Sequence, residues 1–140
     1  MSTELRLFHP DDARHLVELW QTCGLTRPWN DPYKDIQRKL DESAGLFIVA
    51  VLNGTLVGSV MAGYDGHRGW IYYLAVLPQY QSRGIGKQLL QDAEARLRAI
   101  GCPKVQLMIR QDNSVDAFYL GLGYEPAEVR VLGKRLISDE

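Results

Sequence analysis

The chain has 140 residues, 46% hydrophobic and 24% charged, and its 16 basic against 17 acidic side chains leave a net charge of -1. That length suits one domain able to bury roughly two thirds of its unfolded surface without disulfides or metals. The charge balance argues against an electrostatic binder of nucleic acid or membrane.

The opening MSTELRLFHPDDARH breaks into charge too early for a signal peptide, and the longest apolar run, Leu46 to Leu52, is far shorter than the roughly 20 residues that span a bilayer. The expectation is a cytoplasmic protein with a single domain over residues 1–140. Cys23 and Cys102 stand apart with no CxxC or Cys/His spacing, which reads as structural thiols with no metal.

Leu5 and Leu7 alternate with polar neighbours, predicting a first strand. His9, Pro10 and Asp11 mark a helix start, and Ala13, Leu16, Val17, Trp20 and Cys23 follow at helical spacing until Gly24. Asp31 then suits the cap of a second helix with Pro32 at its first position and Ile36 and Leu40 on its apolar face. LFIVAVL, Asn53-Gly54 and TLVGSVMAGY predict a hairpin, because Asn-Gly accepts the positive φ angles of a type I′ turn. WIYYLAVL predicts a long strand ending at Pro78. A helix from about Gly84 to Ile100 follows, with Ile85, Leu89, Leu90, Ala93 and Leu97 on one face. KVQLMIR reads as a strand, VDAFYLGL as a short helix, and residues 124–136 as a final strand or two.

Strand 70–77, helix 84–100 and strand 104–110 form a crossover unit whose strands are parallel, while the earlier strands meander antiparallel. The fold class expected is therefore α/β of mixed α+β character: a single mixed, mostly antiparallel sheet of six to seven strands with a parallel central pair and about four flanking helices. Ligands of such sheets lie beyond the carboxyl ends of the parallel strands, here at Leu77 to Arg83.

PQYQSRGIGKQLL occupies that place. The first N–H groups of a helix lack internal partners and carry about half a positive charge, so they attract phosphate. Gly84 and Gly86 let an anion approach closely, and Arg83 and Lys87 add charge beside it; a tight turn alone would also use the glycines. A P-loop ending on Gly86-Lys87 would need Gly where Gln81 stands and Ser or Thr where Gln88 stands, and a dinucleotide fingerprint would need Gly in place of Leu89.

The stretch Gln81-Ser82-Arg83-Gly84-Ile85-Gly86, preceded by Leu74-Ala75-Val76, resembles the acyl-coenzyme A loop of the GCN5-related N-acetyltransferase (GNAT) family. Downstream, Asn113, Ala117, Tyr119 and Leu122-Gly123-Tyr124 are similar to that family's fourth-helix segment, and the order of elements matches over nearly the whole chain. The resemblance implies acetyl-CoA as cosubstrate, with its pyrophosphate on the backbone of Gln81, Ser82, Arg83, Gly84, Ile85, Gly86 and Lys87. It places the pantetheine arm along the peptide groups of Leu74, Ala75 and Val76, while their side chains read as sheet core.

Transfer by direct attack in a ternary complex needs an amine nucleophile, an acceptor for its proton and a donor to the departing thiolate. Tyr119 matches the family's thiolate partner, and a phenol of pKa about 10 stays protonated at neutral pH to serve it. Asn113 matches a position that hydrogen-bonds the coenzyme arm, though a helix-entry turn would use Asn as well. For the base the candidates are Asp65, His67 and Glu125, with Asp65 and His67 also reading as an exposed turn. Tyr72 or Tyr73 would supply a positioning hydroxyl, and strand alternation lets only one of the two face a cleft. His9 and His15 read as a cap neighbour and a surface residue.

In similar proteins the loop between the first two helices recognises the acceptor. Here it holds Arg27, Trp29, Asn30 and Asp31, which would suit a small polar substrate with an amine and a carboxylate; alternatively Trp29 plugs the core edge and Asp31 caps a helix. The expected partners are a small-molecule or peptide amine, a protein N-terminus included, with no nucleic acid or membrane; a homodimer fits the resemblance too. A non-catalytic acyl-CoA sensor is the competing reading, against which the retained Tyr119 counts.

Overall fold

The computed structural model describes residues 2–111 and 113–140. Strand β1 is Glu4–Leu7. A single helical turn at Pro10–Asp12, capped by the His9 imidazole and the Asp12 carboxylate, leads into α1, Ala13–Thr22. Asp31 caps α2, Pro32–Ser43, by accepting from the N–H groups of Tyr33 and Lys34 at 2.9 and 3.4 Å. The hairpin follows as β2, Phe47–Leu52, and β3, Thr55–Tyr64, joined by Asn53 and Gly54 at φ 52° and 77°. Then come β4, Gly69–Val76, α3, Ile85–Ala99, β5, Val105–Leu107, and α4, Asp116–Leu120.

The five strands form one sheet in the order β1-β2-β3-β4-β5, antiparallel except for the parallel β4–β5 pair. Alternation along β2 sends Ile48 and Ala50 to one face, against Leu89, Leu90, Ala93 and Leu97 of α3. Phe47 and Val49 go to the other, against Leu16, Trp20 and Ile36 of α1 and α2. Both faces are thus covered, and the polar ends of the strands are left for a site.

The sheet is smaller than the sequence suggested. Among the described residues five strands stand where six to seven were expected, the parallel pair lies at an edge of the sheet, and β5 spans three residues of the expected 104–110. Beyond Leu107 no described residue is in a strand. The reason lies at the far end of the chain. Val129, Leu132 and Leu136 stay exposed while the tail crosses to α2, where Asp139 accepts from the Asp31 N–H at 2.7 Å and from Arg38 at 2.6 Å. Charged contacts to α2 hold this segment in place of a strand ladder.

β4 carries the deformation that matters. Met61 faces Tyr72 and Ser59 faces Ala75, so Val60 alone opposes both Tyr73 and Leu74. Tyr73 sits at φ 51° in the resulting bulge. Below it, β5 pairs with Gly69, Trp70 and Ile71, so from Tyr72 onward β4 has no strand on that side among the described residues.

Candidate functional site

Three features converge where β4 leaves its neighbour. The first is the loop into α3. Gln81 turns the chain back by donating its side-chain amide to the Val76 carbonyl at 3.0 Å, and Ser82 and Gly84 adopt φ 65° and 84°. The Gly84 carbonyl accepts the first α3 bond from Gln88 at 3.0 Å. The backbone N–H groups from Ser82 through Lys87 have no hydrogen-bond partner among the described residues. They therefore present a row of bare donors with the helix dipole behind them. Arg83 lies over the Tyr80 ring at 5.3 Å, so its charge borders the loop.

The second feature is a groove of about 360 Å³ lined by Leu74, Val76, Gly84, Gly86, Lys87 and Phe118, among others. It meets a larger cleft of about 1640 Å³ at two shared residues, Leu74 and Val115. Tyr119 and Asn113 line the larger cleft. Tyr119 packs edge-on against Phe118 and Tyr124 at 5.1 and 5.7 Å, and its hydroxyl has no hydrogen-bond partner among the described residues. Burial pushes its phenol above the ordinary tyrosine value, so it is protonated at neutral pH and able to donate.

The third is a polar cluster lining the same cleft. Tyr73 stacks on Trp20 and donates its hydroxyl to Asp35 Oδ2 at 2.7 Å. The Asn30 amide donates to the same carboxylate oxygen and to the Tyr73 oxygen, the latter at 3.2 Å. Burial and the facing carboxylate push the Tyr73 phenol far up, making it a fixed donor that does not take up a proton's work as a base. Lys39, buried to 8% exposure, spends its ammonium on the Ala62 carbonyl and Ser43 Oγ, and burial lowers its pKa.

A row of bare backbone donors at a helix start, a strand edge left open and a protonated tyrosine in the adjoining cleft form the arrangement against which comparison with known proteins is informative. The model of the acetyltransferase (GNAT) family matches residues 13–124. An acetyltransferase of Yersinia pestis (strain Pestoides F) is 51% identical over 138 residues, 98% of each chain. The chain belongs to the GNAT family.

As a GNAT protein it is an N-acetyltransferase. The fold is shared with AAC(6')-Iy, solved with the bisubstrate analogue CoA-S-monomethyl-acetylneamine, at a TM-score of 0.79, 17% identity and coverage of 98% and 100% of the two chains. It is shared likewise with the PaiA N-acetyltransferase of Thermoplasma acidophilum, solved with coenzyme A, at a TM-score of 0.71, 23% identity and coverage of 93% and 94%.

Within this GNAT chain the residues singled out in the sequence divide into three sets. Leu74 and Val76, with Ala75, Gln81, Ser82, Gly84, Ile85, Gly86 and Lys87, line the smaller groove, while Arg83 stands at its rim over Tyr80. The Val76 carbonyl is already taken by the Cys23 thiol at 3.3 Å as well as by Gln81, so it is not free for another ligand. Arg27, Trp29, Asn30, Tyr72, Tyr73, Asn113 and Tyr119 line the large cleft.

Asp31, Asp65, His67 and Glu125 do not. Asp31 caps α2, and Asp65 closes its hairpin turn by accepting from the N–H groups of His67 and Arg68 at 2.8 and 2.7 Å, which hold its carboxyl below the usual range. Both tyrosines line the cleft, contrary to the alternation argument, because the bulge at Tyr73 breaks the period of two.

One residue the sequence reading passed over is Asp35. It sits in the first turn of α2, where an acid is ordinary helix chemistry, and nothing in the linear pattern pairs it with Tyr73.

Proposed function

We propose that the chain moves an acetyl group from acetyl-CoA to a primary amine of a small molecule or peptide by direct attack in a ternary complex. The observation that carries this reading is the row of unpartnered N–H groups from Ser82 to Lys87, opening through a groove into the cleft that holds the Tyr119 hydroxyl.

The groups present fit the cosubstrate. Ser82 to Lys87 donate to the diphosphate, and the missing Cβ of Gly86 keeps the approach open. The β4 edge beyond Tyr72, unpaired by β5, accepts an extended arm at Leu74, whose place in both cavities aims the thioester into the cleft. Asn113 borders the same path. Tyr119 supplies the proton for the leaving thiolate, a role for which a phenol raised by burial is suited. The cleft beside Arg27, Trp29, Asn30, Tyr72 and Tyr73 takes the acceptor. That relatives of the same fold were solved with coenzyme A and with a coenzyme A bisubstrate analogue supports this division.

The test is calorimetry with coenzyme A together with thiol release from acetyl-CoA against a panel of amino acids, polyamines, aminoglycosides and peptides. Saturable binding and amine-dependent release are expected. No heat at millimolar coenzyme would overturn the reading, and binding without any turnover would favour a sensor over an enzyme.

A further inference from the structure

We propose that Asp35 receives the ammonium of the acceptor, and that the acceptor is an amine carrying an acidic group, which faces Arg110 and Arg130. The inference rests on the acetyl-transfer reading above and narrows its substrate class.

Among the described residues Asp35 is the one acidic side chain lining the large cleft, against the cations Arg27, Arg38, Lys39, Arg110 and Arg130. The cations are not equivalent. Arg27 donates to the carbonyls of Gly24 and Thr26 in its own loop, Lys39 is spent on Ala62 and Ser43, and Arg38 is held by Asp139. The Arg110 and Arg130 guanidinium groups make no hydrogen bond or ion pair among the described residues, Arg110 engaging the Asn113 N–H only through its backbone carbonyl.

Asp35 is held for a task. Its carboxylate is 23% exposed; Tyr73 and Asn30 converge on Oδ2, and Arg38 reaches Oδ1 only at 3.5 Å. Two neutral donors on one oxygen orient the group without neutralising it, so its charge is left for a cation in the cleft. Tyr73 adjoins Leu74, the residue shared by the groove and the cleft, so an ammonium at Asp35 lies on the acceptor side of the strand edge proposed for the thioester. A bare cation would meet one carboxylate and a surplus of positive charge. An amine that also bears a carboxylate or phosphate satisfies both the Asp35 carboxylate and the two arginines that line the same cleft, which a bare alkylamine cannot.

Tyr73 and Asn30 are then positioning residues. The bound ammonium first gives one proton to Asp35 and becomes the nucleophile; a C–N bond then forms as the thioester C–S bond breaks, the nitrogen sheds its second proton to solvent, and the sulfur takes one from Tyr119, whose phenolate regains a proton from solvent.

The probes are ω-amino acids from glycine to 6-aminohexanoate, each paired with the straight-chain alkylamine of equal carbon number. Thiol release and calorimetry in the presence of coenzyme A are both recorded, for wild type, Asp35→Asn, Asp35→Glu and the double substitution Arg110→Ala with Arg130→Ala. In the wild type the best amino acid should surpass its alkylamine about 10-fold or more in kcat/KM or affinity. Asp35→Asn should raise KM for amines of both series by roughly 30-fold, with partial recovery in Asp35→Glu and an unchanged coenzyme A affinity as the folding control. The double arginine substitution should remove the advantage of the acid-bearing probes alone.

Equal use of both series by wild type, or an unchanged amine KM in Asp35→Asn, overturns the proposal. Should wild type bind coenzyme A yet turn over none of these probes, the transfer reading is what fails for them. Calorimetry then decides Asp35: heat lost in Asp35→Asn upholds it, and equal or absent heat rejects it.

Discussion

The Tyr73 ring lies 3.7 Å from the Trp20 ring and nearly parallel to it, at 10°. Ser59 closes the contact into a circuit, accepting from Trp20 Nε1 at 3.0 Å and donating to the Tyr73 carbonyl at 2.8 Å. Core and bulge are thereby tied together, and a positive φ on a tyrosine is held by a buried tryptophan and a fully buried serine. Ser59→Ala would leave the indole N–H and that carbonyl unpaired in the interior. Urea unfolding is expected to show a loss of about 1–3 kcal/mol, and a variant as stable as wild type would show that the circuit does not hold the bulge.

Tyr119→Phe removes a hydroxyl that nothing else in the described structure engages, so stability should not fall. Turnover should drop about 10²-fold with coenzyme A affinity retained, as loss of a general acid requires. Stopped-time thiol release beside calorimetry separates the two quantities, and unchanged kcat would remove Tyr119 from the mechanism.

Two glycines make a controlled pair. A Cβ at Gly58 would lie 2.9 Å from Leu89 Cδ1 and 3.0 Å from the Ala75 carbonyl, so Gly58→Ala overpacks the sheet against α3. It should cost about 1–3 kcal/mol in unfolding. A Cβ at Gly86 would meet the Phe118 ring at an ordinary 3.5 Å, and alanine favours a helix by roughly 1 kcal/mol over glycine. Gly86→Ala should therefore keep or raise Tm while weakening coenzyme A about 10-fold by crowding the groove. Equal affinity would mean that no ligand approaches that backbone.

The tail contact has a definite pH signature. The Asp139 side chain is 3% exposed, and its carboxyl is held below the usual range chiefly by Arg38 and next by the Asp31 N–H. A depressed folded pKa stabilises fully above the unfolded value of about 4, and that stabilisation is lost as pH falls through the folded one. Asp139→Asn should then lower Tm against wild type at neutral pH, and the gap should close below about pH 4. Calorimetric melts across that window check it, and a gap that persists in acid would mean the contact is not ionic.

What the sequence disclosed and what it withheld follow from the range of the interactions involved. The Asn53-Gly54 turn, the Asp31 cap and the Gly84 loop are local, written in residues whose backbone preferences act within a few positions. Those were legible. The missing strands were not, because Val129 and Val131 have strand-like alternation while Asp139, Arg135 and Arg38 fix the tail elsewhere across more than 100 residues of chain. The pairing of Asp35 with Tyr73 spans 38 residues and depends on a bulge that no period announces.

The central claim is that the bare N–H groups from Ser82 to Lys87 grip the diphosphate of coenzyme A. Amide NMR of labelled protein titrated with coenzyme A reads those donors one by one. The account predicts that the largest downfield amide shifts fall on Ser82, Arg83, Gly84, Ile85, Gly86 and Lys87, and that pantetheine lacking phosphate leaves them unmoved. Saturable coenzyme binding with those amides unshifted would contradict it.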